Sequence, residues 1–446
     1  MRARSNYQSR RARVLVWTGL GVALAALAGY GLAGHIKQSR TAAHLRHAEE
    51  ALTARDFAGA RQELERCLET SPDSAEAHWL LARTLRRAAL YSQADASWDD
   101  KCFDHLAESR RLHYDSDAVG LEADLLATMR GELPRLQKEL LSRVGKGDSD
   151  APVILEALVP AYLASQQLPL AMNCVTQLLA LEPDNPQVWF WRGLVREQLM
   201  FVRLAAADYE KVLDLNPNFD EARLRLAQSF VGMNSFAEAE KHFELLYERR
   251  PNDPVVLLGL ARCFHASGRL SDTEQFLKRL PPADADSGVA LLERGKLALE
   301  TGKVAEAEAL LRRALAASPN EAQVYYTLSQ CLRQRGQKAE SDALLARFER
   351  FNADWVRFRS LTEKMRSESR DPAILYQAGV ILLRNGQARA GLGWLASALQ
   401  AAPDYAPAHL ALAAYYQQSG DTPRAEHHRR LGEPGLKRIR WPLALP

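Results

Sequence analysis

Between Pro152 and Trp355 the pattern of apolar positions returns every 34 residues, without insertion or deletion. Small residues keep the step through Gly193, Ala227, Ala261, Gly295 and Ser329, and again through Ala171, Ala205, Ala239, Thr273, Ala307 and Ser341. Large apolar residues hold a third register at Tyr209, Phe243, Leu277, Leu311 and Leu345, and prolines a fourth at Pro183, Pro217, Pro251 and Pro319. Several registers held together mark a repeat array, and that decides the fold class before any single residue does. Within Asp220–Pro251, Leu224, Ala227, Phe230 and Val231 share one helical face, Gly232–Ser235 reads as a turn, and Phe236, Ala239, Phe243, Leu246 and Tyr247 form a second apolar face. Pro251 ends that second helix, because proline lacks the N–H and clashes with the preceding turn.

Each unit is thus two antiparallel helices that cross at Ala227 and Ala239, where only small side chains let the axes approach. One hairpin cannot bury its own apolar face, so neighbours must stack and stability is mostly nearest-neighbour. The apolar residues of the pattern read first as core. The expected fold is all-α, a right-handed solenoid of stacked helix pairs, with six in-phase units over residues 152–355.

The pattern extends outward less regularly. Ala48, Ala60, Leu64 and Pro72 mark one unit, and Ala82, Leu85, Tyr91, Ala94 and Trp98 a second, placing two units in residues 41–108. Residues 109–151 break phase and read as an atypical hairpin, with Leu121, Leu125 and Met129 before Gly131 and Leu136, Leu140 and Leu141 after it. Residues 356–371 are extra: Trp355, Phe358, Leu361 and Met365 share a helical face, which predicts a lengthened helix. Two further units follow over residues 372–439, one with Gly379, Leu382, Gly386, Leu395, Ala398 and Pro403, the other with Ala413, Tyr416, Gly420 and Ala425. Residues 440–446 are left as a tail.

This array resembles the tetratricopeptide repeat, whose unit also has 34 residues. Trp189, Gly193, Tyr209 and Pro217 match its positions 4, 8, 24 and 32; Ala227, Phe230, Ala239, Phe243 and Pro251 match positions 8, 11, 20, 24 and 32 of the next unit. Arg196 departs from it, standing at position 11 where an apolar residue belongs. The resemblance implies a concave groove lined by the first helix of each unit. Carried onto this chain, the groove-lining set is Trp79, Arg83, Arg86, Phe190, Arg262, His265, Lys296, Tyr326, Arg333 and Tyr376, with Leu224, Leu258, Leu292, Leu410 and Gln330 at equivalent positions. An aromatic and aliphatic ladder flanked by cations suits a peptide segment or helix with acidic groups. The family's clamp of asparagines and lysines for a terminal carboxylate is missing.

Ahead of the repeats, residues 1–13 hold five arginines and no acid, and residues 14–34 run without a charge. At ~1.5 Å rise per residue such a helix spans roughly 30 Å, the thickness of a bilayer core. The arginines place the N-terminus in the cytoplasm and the repeats on the far side. A cleaved signal peptide, with Ala26, Leu27 and Ala28 at the cleavage site, is the rival reading; the length of the apolar run favours an uncleaved anchor. Gly21, Ala25 and Gly29 form a small-residue stripe of the kind that can pair membrane helices.

Composition changes this picture little. A net charge of +3 with 25% charged residues is ordinary, and does not point to nucleic acid. The five cysteines form no CxxC pair and read as small core residues; Cys263 and Cys331 share one unit position two repeats apart, beyond disulfide reach. His44 with His47 and His427 with His428 lack the further ligands a metal needs. No phosphate loop, GxSxG or HExxH is present, so no residue is singled out for catalysis and no cofactor is implied. The reading is a single-pass membrane protein, bacterial and facing the periplasm, that acts as a non-catalytic scaffold for protein partners. The alternatives are an accessory factor for envelope-complex assembly or cytochrome maturation, and a subunit of an enzyme whose catalytic part is supplied in trans.

Overall fold

A computed structural model describes residues 35–91, 97–365 and 371–433. Among them every regular element is helical and there is no strand. The chain divides into two compact units, Met1–Lys146 and Gly147–Pro446. The apolar run of residues 14–34 and the tail of residues 440–446 lie outside the described residues. Within the described residues, no helix is long and apolar enough to cross a membrane.

Unit 1 holds three hairpins. The first pairs α1 (35–53) with α2 (Phe57–Thr70), and the second α3 (Ala75–Leu90) with α4 (Trp98–Arg111). The third runs from α5 (Ser116–Ala127) through a single π-turn to α6 (Leu133–Gly145), bending at Gly131, whose φ of 100° suits a residue without Cβ. Side chains start several of these helices. Ser74 accepts from the Ala77 N–H, and Asp115 from those of Asp117 and Ala118, filling donors that have no partner inside the helix.

The second hairpin corrects the sequence register. Ala94 and Trp98 were expected to make the packing face of its second helix. Ala94 falls outside the described residues, and Trp98 is the half-buried first residue of α4. The crossing residue is Cys102, eight positions later than Ala94, with its Sγ 3.4 Å from the Ala82 carbonyl and Leu106 and Ser109 buried beyond it. The same bond from position 20 to position 8 recurs at Thr273–Ala261 (3.4 Å) and Ser341–Ser329 (2.8 Å). Eight extra residues between the two helices shift the phase.

Unit 2 holds eight hairpins, α7 to α23 with one short extra helix. They are α7 (Ala151–Ala164)/α8 (Leu168–Leu181), α9 (Pro186–Gln198)/α10 (Val202–Leu215), α11 (Asp220–Gly232)/α12 (Phe236–Arg249) and α13 (Pro254–Ala266)/α14 (Leu270–Lys278). The short helix α15 (Pro282–Ala285) precedes α16 (Gly288–Glu300)/α17 (Val304–Ala317), α18 (Ala322–Gln334)/α19 (Lys338–Lys364), α20 (Pro372–Arg384)/α21 (Ala388–Ala401) and α22 (Ala406–Gln418)/α23 (Thr422–Gly432). Small residues sit at the crossings because nothing larger fits: a Cβ on Gly193 would collide with the Tyr209 ring, and one on Gly295 would lie 2.7 Å from Leu311. In each hairpin of this unit the turn uses one left-handed residue in the same place. Gly268, Gly302, Gly336, Gly386 and Gly420 supply it freely, while Gln166, Met200 and Asn234 hold it despite a side chain.

Arg196 is accommodated by pairing. It and Arg192 reach Asp208 on α10 at 2.7 and 2.6 Å, and Asp208 is buried. The long α19, 27 residues, buries Phe351, Phe358 and Leu361 and sets Phe358 edge-on to Trp394 of α21. This brings α20 and α21 round to the start of the unit. Arg389 donates to the Ala164 carbonyl at 2.7 Å, and Gln400 Nε2 to Gln167 Oε1 at 2.7 Å. A Cβ on Gly393 would run into Gln166 and the Ser165 carbonyl, so its absence permits the contact. The seventh hairpin of unit 2 therefore touches the first.

Candidate functional site

The residues expected to line a groove have different fates. In unit 1, Trp79, Arg83 and Arg86 stand on one side of α3. Trp79 Nε1 donates to the Ala118 carbonyl at 3.2 Å, and the Arg83 guanidinium lies 4.3 Å over its ring. Arg83 and Arg86 both reach Glu122 on α5, at 2.5 and 2.7 Å. Arg86 is 0% exposed and Glu122 1%. Burial acts to raise the Glu122 pKa, but Arg86 and Arg83 outweigh it and hold the carboxyl below its ordinary value. Arg86 is therefore a core ion-pair residue rather than a groove contact, a correction to the sequence reading.

Unit 2 repeats the arrangement nearer to water. Arg262 and His265 of α13 face Glu293 of α16 at 3.5 and 3.7 Å, and Lys296, one turn along α16, bonds it at 2.9 Å. His265 Nε2 also lies 3.1 Å from Glu300. The expected cation ladder thus meets a buried carboxylate that takes up much of its charge. Glu122 and Glu293 occupy the same place in their helices, the sixth residue from the start, counting α5 from Asp117. At the α9–α11 junction the signs are exchanged: Arg225 holds that place and pairs with Glu197 at 3.3 Å.

The aromatic members of the set divide as well. Phe190 is buried, its ring 5.0 Å from Phe219 and 5.9 Å from Tyr209, so it serves the core and not an open groove. Tyr326 is half-buried beside Phe348 at 5.0 Å, and Tyr376 half-buried and edge-on to Tyr405 at 5.9 Å. Arg333 is exposed, with Asp342 only 3.7 Å away.

A concave strip is present across three consecutive hairpins. Gln228 of α11, Val255, Leu258 and Arg262 of α13, and Val289 of α16 line one cavity of about 350 Å³. Val255 is 42% and Val289 36% exposed, unusual for large aliphatic side chains. The sequence reading included Leu258 and Arg262 but missed Gln228, Val255 and Val289. Their signal was the same register, helix positions 2 and 9.

Nothing in the cysteines suggests chemistry. All five are buried free thiols, and burial pushes Cys102, Cys174 and Cys263 up to about 12, far from the thiolate a nucleophile needs. Among the described residues no three His, Cys, Asp or Glu side chains converge as a metal site would require. His44 bonds Glu63 at 2.7 Å, and His428 faces His409 rather than acting with His427.

Family models described as Tetratricopeptide repeat match residues 45–98, 160–232, 230–294 and 298–365. The chain is built of tetratricopeptide repeats. Among solved structures it is similar to a tetratricopeptide repeat protein from Parabacteroides merdae, at 16% identity over 66% of this chain and 99% of that one, with a TM-score of 0.33. It is also similar to a thermophilic TPR protein of Thermus thermophilus, at 20% identity over 45% of this chain and 100% of that one, TM-score 0.33. A third is PilW, described as a type IV pilus biogenesis factor, at 18% identity over 45% of this chain and 93% of that one, TM-score 0.38. In this tetratricopeptide array the left-handed turn residue recurs in every hairpin of unit 2, and a hydrogen bond from position 20 to position 8 reinforces the three hairpins that carry Cys102, Thr273 and Ser341.

Proposed function

We propose that this protein is a membrane-anchored, non-catalytic scaffold that binds protein partners through the concave strip of unit 2. The observation that carries the reading is the strip itself: two exposed valines and Leu258 beside a free amide and a half-exposed guanidinium, spread over three stacked helices. Peptide grooves use this mixture, apolar contact for affinity and a few polar groups for orientation. Because Glu293 offsets Arg262 and Lys296, the strip suits a segment richer in apolar side chains than in acids. The anchor is residues 14–34, and the arginines before it set the N-terminus in the cytoplasm and the repeats outside. An accessory role in envelope-complex assembly fits the same layout.

The test is site-specific photo-crosslinking in the intact anchored chain. A crosslinking side chain at Leu258 should capture a partner; one at Leu245, an exposed residue of α12, should not. Adducts at Leu245 and none at Leu258 would move binding to the second helices. A reporter active only outside the cytoplasm, fused after Pro446, should be active; activity of a cytoplasmic reporter alone would reverse the orientation.

A further inference from the structure

In five hairpins the fourth residue of the first helix reaches back to the carbonyl of the proline closing the preceding unit. Trp189 Nε1 donates to the Pro183 carbonyl at 2.7 Å, Arg223 to that of Pro217 at 2.6 Å, and the Tyr325 hydroxyl to that of Pro319 at 2.7 Å. In two hairpins, one in each compact unit, a histidine makes this tie. His78 Nε2 lies 3.0 Å from the Pro72 carbonyl, and His409 Nε2 2.9 Å from that of Pro403. Each is backed by a second histidine from the second helix: His78 and His105 meet Nδ1 to Nδ1 at 2.9 Å, and His409 and His428 at 3.0 Å. Their ring planes are tilted by 35° and 32°. The two pairs fall at the same register, once the eight extra residues of unit 1 are discounted.

Protons can be counted through this geometry. A carbonyl only accepts, so Nε2 of the first histidine carries hydrogen. One proton lies between the two Nδ1 atoms, and a second proton there would set two N–H groups against each other. The remaining site is Nε2 of the second histidine. An intact pair therefore holds three protons at most, one positive charge, whereas two unfolded histidines in acid hold four.

We propose that the His78–His105 and His409–His428 pairs are acid-labile ties, each joining the two helices of its hairpin and fastening that hairpin to the unit before it, and each giving way as its second charge is forced on. The pairs differ in surroundings. The first has Glu65 from α2 and Lys101, Asp104 and Glu108 from α4 nearby. The second has Arg424 and His427 from α23, and the Tyr416 ring of α22 stacked 5.8 Å from His428. The carboxylates ease a first proton onto the unit 1 pair; Arg424 and His427 oppose one in unit 2, so the α22–α23 tie is the weaker in acid. Burial, then the facing His78, hold His105 below the ordinary histidine value. Burial, then His409, His427 and Arg424, do the same for His428. A histidine lowered on folding stabilises fully above its unfolded value of about 6.5, and that contribution is lost as pH falls through the folded values.

The array supplies its own control, since Tyr325 and Leu344 occupy these positions in the α18–α19 hairpin with no imidazole between them. The experiment compares the full-length chain with a His409→Tyr/His428→Leu variant and a His78→Tyr/His105→Leu variant. Thermal unfolding is followed at about pH 7.5 and 5.5, and histidine C2 hydrogen exchange is followed by mass spectrometry in the wild type. Acid should lower the wild-type Tm, and each variant should recover roughly 2–4 °C of that fall. The peptides carrying His105 and His428 should titrate below a free-histidine reference, His428 the lower. Titration of both at the reference value would overturn the proposal even if a variant failed to fold. So would an acid-induced fall of Tm in both variants equal to that of the wild type.

Discussion

Glu122 in unit 1 and Glu293 in unit 2 occupy one register position, and each is reached by arginine from the first helix of the preceding hairpin, Glu293 also by Lys296 of its own helix. Their surroundings differ. Glu122 meets two arginines, and one of them, Arg86, grips it in a forked contact and has no surface at all. Glu293 is nearly as buried, but the arginine that reaches it, Arg262, is 42% exposed and comes no closer than 3.5 Å, while Lys296, 20% exposed, bonds it from its own helix at 2.9 Å. A charge pair removed from water costs its desolvation and must be matched fully, whereas a pair at the water edge is screened and replaceable. The repeat thus uses one arrangement twice, as a core tie in one unit and beside the cavity-lining Arg262 in the other.

The widest separation between the two should come from removing the carboxylates. Glu122→Gln leaves Arg83 and Arg86 facing a neutral amide in the interior, which should cost about 3–5 kcal/mol of unfolding free energy. Glu293→Gln should cost less, about 1 kcal/mol, because Arg262 already stands half in water and makes only a long contact. Denaturant unfolding of the full chain measures both, and equal losses would erase the distinction. Acid should act likewise. The Glu122 carboxyl is held below its ordinary value by Arg86 and Arg83 against its burial, so its contribution is complete above the unfolded value of about 4.3 and is lost as pH falls through the lowered folded value. Stability measured between about pH 6 and 3 should fall less steeply in Glu122→Gln than in the wild type.

A second, smaller contrast concerns the crossings. Ala239 in unit 2 and Cys102 in unit 1 hold the same place, both fully buried. Leucine at either should overpack and cost on the order of 1–3 kcal/mol, while the exposed Glu238→Gln changes stability by under ~0.5 kcal/mol. If Cys102→Leu melted like the wild type, the shifted register of α4 would be wrong.

That register shows where the sequence could and could not be read. The helices of residues 152–355 were legible because every unit keeps its phase, so Ala227, Ala239 and Phe243 appear where the period puts them. Cys102 was not, because eight added residues moved the second helix while Ala94 and Trp98 still matched the pattern by type. The groove set was legible as positions and illegible as environments. Whether Arg83, Arg86 and Arg262 meet water depends on the sixth residue of the next hairpin, Glu122 or Glu293, which no local pattern connects to them. The fourth position was read as an apolar place, although Trp189, Tyr325, His78 and Arg223 share a donor rather than an apolar surface. Polar function of that kind emerges only once the preceding proline's carbonyl is seen opposite.

The smallest expected effect tests the same lesson at its solvent-exposed limit. Arg86, His265 and Arg333 all stand twelfth in their helices, and their exposure rises in that order, from none through slight to 61% of the side chain. Arg333 has one ionic neighbour, Asp342, at 3.7 Å, and both partners are mostly in water. A pair of that kind contributes little, since solvent and salt screen it and two long side chains must be ordered to form it. Arg333→Gln should therefore shift unfolding by less than ~0.5 kcal/mol. If the concave face takes partners as proposed, the same variant should still weaken the partner captured at Leu258, by about 1 kcal/mol, and added salt should weaken the wild type toward it. A stability loss near that of Glu122→Gln would instead mean that Arg333 is held by the fold, and that its exposure is no guide to its role.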